Sequence, residues 1–253
     1  MKIAIPEKLL KLREPVKELY AMGDLRLLER TCVAIVGSRR ALLYTKNITE
    51  KLSSMLSSAG VVVVSGGAVG VDAAAHVGAM PNTIAVLPTP LDIFYPKINN
   101  ALLKKISNCG LLLSEYAQGA PISKYNFVLR NRIVTALSNA LIIAQADLNS
   151  GSLRSAEYAL KYGIPIYVFP HRIGESEGTE RLVKNGQAKT IEDFGEFVKM
   201  FAPLAEETPK DELLIFCTKN ADLNECLKRF GDKIYEYEID GKIAISGMRV
   251  KVL

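Results

Sequence analysis

What most constrains this chain is a serial alternation of short β-branched runs with longer amphipathic stretches. The runs Val33–Val36, Val61–Val64, Thr83–Leu87, Leu111–Leu113, Leu141–Ala144 and Ile166–Phe169 predict strands. The stretches Thr45–Ser58, Val71–Met80, Asn99–Ser107, Val128–Leu137, Ser152–Lys161 and Glu175–Lys184 predict helices. Repetition of strand and helix in this order calls for parallel strands with helices on the sheet faces, because parallel neighbours need a crossover long enough to hold a helix. The expected class is α/β, a doubly wound and mostly parallel sheet. Ligands of such sheets lie outside the carboxyl ends of the strands, so the loops after each strand carry the functional information.

The stretch Ala202-Pro203-Leu204-Ala205-Glu206-Glu207-Thr208-Pro209 has no periodicity and reads as a linker. It divides the chain into a large domain over residues 1–202, a linker over 203–209 and a small domain over 210–253. In the small domain two helical patterns, Asp211–Thr218 and Ala221–Phe230, precede the runs Ile234–Ile239 and Lys242–Ile245, which flank Asp240-Gly241. Asp-Gly between apolar runs predicts a hairpin. Helices followed by a β-ribbon suggest a winged-helix-like module.

Composition narrows the functional classes. The sequence has no run of about 18 or more apolar residues, the length needed to span a bilayer, and the N-terminus lacks the apolar stretch and cleavage site of a secretory signal. A cytoplasmic protein is expected, with no membrane association. The cysteines at positions 32, 109, 217 and 226 have no C-x-x-C spacing, which argues against a zinc knuckle or a redox pair. Net charge is +5, but residues 204–253 hold 8 basic and 10 acidic side chains against 24 and 17 before them. A polyanion, if bound, belongs on the larger domain.

Two adjacent strands end in loops suited to phosphate. Val33-Ala34-Ile35-Val36 runs into Gly37, Ser38 and Arg39, where glycine permits close approach, serine offers a hydroxyl and arginine a bidentate cation. Val61–Val64 runs into Ser65, Gly66, Gly67 and Ala68, a glycine-rich turn opening a helix whose first N–H groups form an anion site. Neither loop is a G-x-G-x-x-G or G-x-x-x-x-G-K-[ST] fingerprint, so a tightly held NAD or ATP cofactor is not expected. A repeated phosphate ligand fits better. Ser150, Gly151 and Ser152, after the strand Leu141–Ala144, supply a third loop at the same edge or an ordinary helix cap.

Several ordered motifs resemble the DprA/Smf (DNA processing protein A) family over roughly residues 9 to 200. They are Leu19-Tyr20-Ala21-Met22-Gly23-Asp24 leading to Gly37-Ser38-Arg39, then Ser65-Gly66-Gly67-Ala68-Val69-Gly70-Val71-Asp72 with Ala75-His76, then Tyr95-Pro96 and Leu113-Ser114-Glu115-Tyr116. Phe127-Val128-Leu129-Arg130-Asn131-Arg132-Ile133-Val134 and Ser150-Gly151-Ser152 with Ala156 complete the series. The resemblance implies an extended Rossmann-like sheet and a homodimer that binds single-stranded DNA, protects it and loads the RecA recombinase during natural transformation. It also implies DNA contacts at Arg39, Lys124 and Phe127, with Phe127 in a base pocket. Val128 stands where the family often has proline, and too few residues precede Tyr20 for an N-terminal helical SAM-like domain. The form is similar to short epsilon-proteobacterial members.

The remaining residues divide between binding and structure. Lys124 and Phe127 offer a cation beside an aromatic ring, the combination that holds single strands. Arg130 and Arg132, two apart on a helix, face different ways, so one is expected to touch DNA and the other to hold the fold. Asn131 suits a base edge or a capping role equally. Asp72 and His76 share a helix face, but with no third ligand in view no metal is expected, and Asp72 suits the positive helix end. Glu115 is expected to pair with a loop arginine.

With no nucleophile and base in evident partnership, a non-enzymatic DNA-binding protein is the leading expectation, with weak duplex contact through the small domain an open addition. The alternative is a Rossmann enzyme such as a nucleoside-monophosphate phosphoribohydrolase. Its Pro-Gly-Gly-x-Gly-Thr-x-x-Glu motif is only faintly echoed by Ser150-Gly151-Ser152-Leu153-Arg154-Ser155-Ala156-Glu157.

Overall fold

The computed structural model describes residues 1–202, 211–219 and 222–252. Internal contacts divide the chain into two units, Met1–Pro203 and Leu204–Leu253. The linker expected over 203–209 lies outside the described residues.

The first unit is built on one sheet of nine strands: β1 (Lys2–Ile3), β2 (Leu19–Gly23), β3 (Cys32–Val36), β4 (Val62–Ser65), β5 (Thr83–Leu87), β6 (Leu111–Ser114), β7 (Ala140–Ile143), β8 (Ile166–Val168) and β9 (Lys189–Thr190). Their order is β1-β2-β6-β5-β4-β3-β7-β8-β9. β3 to β9 pair in parallel, while β2 pairs antiparallel with both β6 and β1. This is the doubly wound, Rossmann-like class expected. β1, β2 and β9 were not among the predicted strands, for reasons of length and pattern: β1 and β9 have two residues each, and β2 is half exposed without a β-branched run.

Strands β3 to β7 are buried along their whole length because helices cover both sheet faces. Alternation within each run assigns its residues to opposite cores. Cys32, Ala34 and Val36 join one cluster with Val62, Val64, Ile84 and Leu141, while Val33 and Ile35 join another with Leu52, Leu56, Val63 and Ile142. From β3 the chain adds β4, β5 and β6 on one side, then crosses to β7 on the other. β3 and β7 therefore flank the switch point, where neighbouring loops part and leave a crevice.

The predicted helix Val128–Leu137 is instead two short helices, Lys124–Leu129 and Asn131–Ala136. The first begins early because the Ser123 hydroxyl accepts the Tyr125 N–H at 3.2 Å. The two meet at Arg130 in a tightened turn, its carbonyl accepting from Ile133 N at 3.0 Å and Val134 N at 3.4 Å.

The second unit has helices Glu212–Lys219, Leu223–Phe230 and Lys233–Ile239, then a hairpin of β10 (Ile243–Ser246) and β11 (Arg249–Val252). Leu213, Cys217, Cys226, Ile234, Ile243 and Val250 form its core. One expectation is corrected. Residues 234–239 are helical, since Ile234 and Tyr237 pack on the core while Ile239 is exposed, a spacing of three and not two. Gly241, at φ +69°, closes that helix, and the hairpin turns at Gly247.

Candidate nucleic-acid interface

At the switch point, the end of β3 is locked in place by its neighbours. Ser38 N donates to Gln145 O at 2.8 Å, Val71 N donates to Ser38 O at 3.2 Å, and the Ser38 hydroxyl accepts from Arg40 N at 3.1 Å. A side chain at Gly37 would meet Val71 Cγ2 at 2.7 Å, so only glycine lets β3 pass this close to the next helix. Held this way, Arg39 is exposed and has no ion pair among the described residues.

The loop after β4 serves a different purpose from the one its glycines suggest. Gly66 N and Ala68 N both donate to Asp72 Oδ2, at 3.1 and 3.3 Å, and Gly67 N donates to His76 Nε2 at 3.2 Å. The Asn99 amide donates to Gly67 O at 3.0 Å. The amides expected to cradle phosphate are consumed within the protein. Ser65 is completely buried, its hydroxyl donating to Ile35 O at 2.6 Å, and Gly67 packs beneath Leu87 and Leu103. Neither lines the crevice or the slot beside it. Gly66 and Ala68 do line the crevice, as backbone surface. Asp72 and His76 are the clamps of the loop, and no metal-ligating cluster occurs among the described residues.

Arg130 and Arg132 differ in their partners. Arg132 forms a buried bidentate pair with Glu115, at 2.8 and 2.6 Å, and holds the fold. Glu115 is thus a structural partner as expected, although the arginine it holds lies in the helix Asn131–Ala136 and not in a loop. Arg130 turns inward, donating from Nη1 to Val86 O at 2.7 Å with its guanidinium packed against Gly66. Its Nε has no hydrogen-bond partner among the described residues, and the side chain floors the crevice. Burial pushes the Arg130 pKa down, opposed by the nearby Asp72 carboxylate. Burial raises the pKa of Asp72, opposed first by Arg130 and then by the amide donors.

The crevice has a volume of about 490 Å³. It brings together Gly37, Ser38, Arg39, Gly66, Ala68, Phe127, Arg130, Asn131, Ser150, Gly151 and Ser152 from separate loops and helices. Beside it lies a slot of about 160 Å³ walled by Pro88, Tyr95, Pro96 and Phe127 and shared with Arg39 and Arg130. Tyr95 and Phe127 meet edge to face with centroids 5.3 Å apart. Lys124 is exposed at the start of the helix Lys124–Leu129 and lines neither hollow. The Ser150 hydroxyl accepts from Ser152 N at 3.3 Å just ahead of the helix Ser152–Lys161, whose N-cap is Gly151.

Sequence reasoning missed Arg40, Asn149, Arg154 and the acidic Asp147, all of which line the crevice. Proximity to the Gly37 and Ser150 loops was the available signal. Four arginines against two carboxylates, Asp72 and Asp147, leave the lining cationic. With an aromatic slot alongside, the arrangement can hold phosphate and accept a flat ring.

A family model for DNA recombination-mediator protein A matches residues 2–202. DNA processing protein DprA of Streptococcus pneumoniae is 41% identical over 173 residues, covering 66% of this chain and 61% of that protein. Protein Smf of Escherichia coli is 34% identical over 187 residues, 72% of this chain and 50% of that one. The chain thus spans about half to three-fifths of these relatives. The solved structure of DNA processing protein A from Helicobacter pylori, described for its single-stranded DNA binding mode, is 44% identical with a TM-score of 0.77, over 78% of this chain and 93% of that chain. DprA from S. pneumoniae superimposes with a TM-score of 0.75 at 36% identity, over 81% and 75%. From its ordered motifs, its sheet and these matches, the chain belongs to the DNA recombination-mediator protein A (DprA/Smf) family.

Proposed function

We propose that this protein binds single-stranded DNA along the carboxyl edge of the sheet and is not an enzyme. One observation carries the reading: a crevice lined by Arg39, Arg40, Arg130 and Arg154 opens beside the slot of Tyr95 and Phe127. Cations that follow a backbone beside rings that take bases are the physics of single-strand binding without base-pair readout. In this reading Arg39 and Arg154 hold phosphates from the rim, Arg130 supports the floor, Phe127 takes a base, and Lys124 steers the strand from outside. Asn131 and the serines of 150–152 complete the groove.

Membership in a recombination-mediator family supports the wider role: the protein works in the cytoplasm as a homodimer, protects incoming single strands and passes them to RecA in natural transformation. No helix among the described residues is long and apolar enough to cross a membrane. The second unit, which is net acidic, is proposed to touch duplex DNA weakly.

The test is fluorescence anisotropy with labelled oligo-dT against duplex of equal length, for wild type and Arg39→Ala. A single-strand preference that falls with salt and is weakened by Arg39→Ala supports the groove. Absence of binding to either, with release of free base from nucleoside monophosphates, would move the site to the phosphoribohydrolase reading.

A further inference from the structure

A third hollow, of about 520 Å³, lies at the same sheet edge between the start of the helix Leu43–Ser58 and the loop after β8. Its character differs from that of the arginine crevice. Leu43 is 73% exposed and Tyr44 50%, and Ile173 in the facing loop is 99% exposed. The Tyr44 ring is held perpendicular to His171, with centroids 6.2 Å apart. Arg172 is exposed and has no ion pair among the described residues, while the Glu175 carboxylate is engaged by the Arg172 backbone N–H at 3.1 Å.

The hollow and the crevice share one framework. His171 is anchored through Nδ1 to Phe169 O at 3.1 Å and through Nε2 to the Thr45 hydroxyl at 3.0 Å. Thr45 is 3.0 Å from Gln145 Oε1, which accepts Leu42 N at 2.9 Å, and Gln145 O accepts Ser38 N. Gln145 therefore fixes both ends of the loop that carries Arg39 and Arg40 into the crevice and Leu43 and Tyr44 into the hollow. Two inter-strand steps, about 10 Å, separate β3 from β8. That distance suits two or three nucleotides of one strand, given about 3.4 Å per stacked nucleotide and more when extended.

We propose that this hollow is a further nucleotide position, in which a base stacks on Tyr44 and Arg172 holds an adjoining phosphate of the strand occupying the crevice. The proposal rests on the single-stranded DNA reading of the crevice. An exposed ring on the loop that also carries Arg39 and Arg40 into the crevice, beside a cation that has no ion pair among the described residues, favours a nucleic-acid strand over an apolar protein segment, which would offer Arg172 no phosphate.

Oligo-dT long enough to cross both sites, such as a 20-mer, is titrated against the full chain as wild type, Tyr44→Ala, Tyr44→Phe, Arg172→Gln and Arg39→Ala. Tyr44→Ala is expected to weaken binding about fivefold or more, the lower end of a base–aromatic stack. Tyr44→Phe, which keeps the ring, is expected to recover most of the loss. Arg172→Gln should lower the salt slope by about 0.7, one phosphate contact. Abasic substitution along the oligonucleotide should erase the difference between wild type and Tyr44→Ala. Unchanged affinity for Tyr44→Ala alongside a clear loss for Arg39→Ala would overturn this position and leave the crevice reading standing. So would a Tyr44→Ala defect confined to self-association in light scattering. Failure of wild type to bind the 20-mer would overturn both.

Discussion

His76 accepts the Gly67 amide proton through Nε2 at 3.2 Å and meets the Thr83 hydroxyl through Nδ1 at 2.8 Å. Thr83 donates its own proton to Val63 O at 3.0 Å, so it must accept from Nδ1–H, and the ring is neutral with its proton on Nδ1. Burial, assisted by the charge of Arg130, lowers the His76 pKa from 6.5 to about 3.

This relationship sets an acid limit on the fold. A histidine with a depressed folded pKa contributes stability above its unfolded pKa, near 6.5, and loses it as pH falls towards about 3. Between pH 7 and pH 5 the loss is about 2 kcal/mol. His76→Gln can accept from Gly67 without titrating, so its urea midpoint should fall less than that of wild type over this range. Parallel pH profiles would refute the assignment.

The Arg132–Glu115 pair is structural, and removing one partner strands a buried charge. Arg132→Ala is expected to cost about 3–5 kcal/mol. Replacing both, as Arg132→Met with Glu115→Leu, should recover much of that. Thermal unfolding of the two variants provides the comparison, and equal losses would contradict it.

Gly66 is required by contact with Arg130, because a Cβ there collides with the guanidinium. Gly66→Ala should cost about 1–3 kcal/mol through overpacking, and it should reduce oligo-dT affinity by displacing the floor of the crevice. A variant of normal stability and affinity would place Arg130 outside the interface.

Arg39 and Arg154 stand at the rim, Arg154 in an exposed pair with Glu157 at 3.0 Å. Alanine at either position should leave the unfolding free energy within about 0.5 kcal/mol of wild type. Each should reduce the magnitude of the salt slope by about 0.7. Measuring affinity across salt concentrations separates a phosphate contact from a bystander, which would leave the slope unchanged.

Periodicity alone determined the parallel core, since strands buried on both faces must be continuously apolar and must alternate with crossover helices. It also determined the loops at the carboxyl edge, including Gly37-Ser38-Arg39. Chain order could not reveal β1 and β9, too short to carry a pattern, or that residues 234–239 would pack with helical spacing. Nor could it show that the Gly66-Gly67-Ala68 amides are spent on Asp72 and His76, because whether an N–H is free depends on which side chains the fold brings within about 3 Å of it. Arg130 and Arg132 show the same limit. They are identical side chains two positions apart, and only the tertiary structure could tell them apart, by setting Glu115 against one and the Val86 carbonyl at the floor of the crevice against the other.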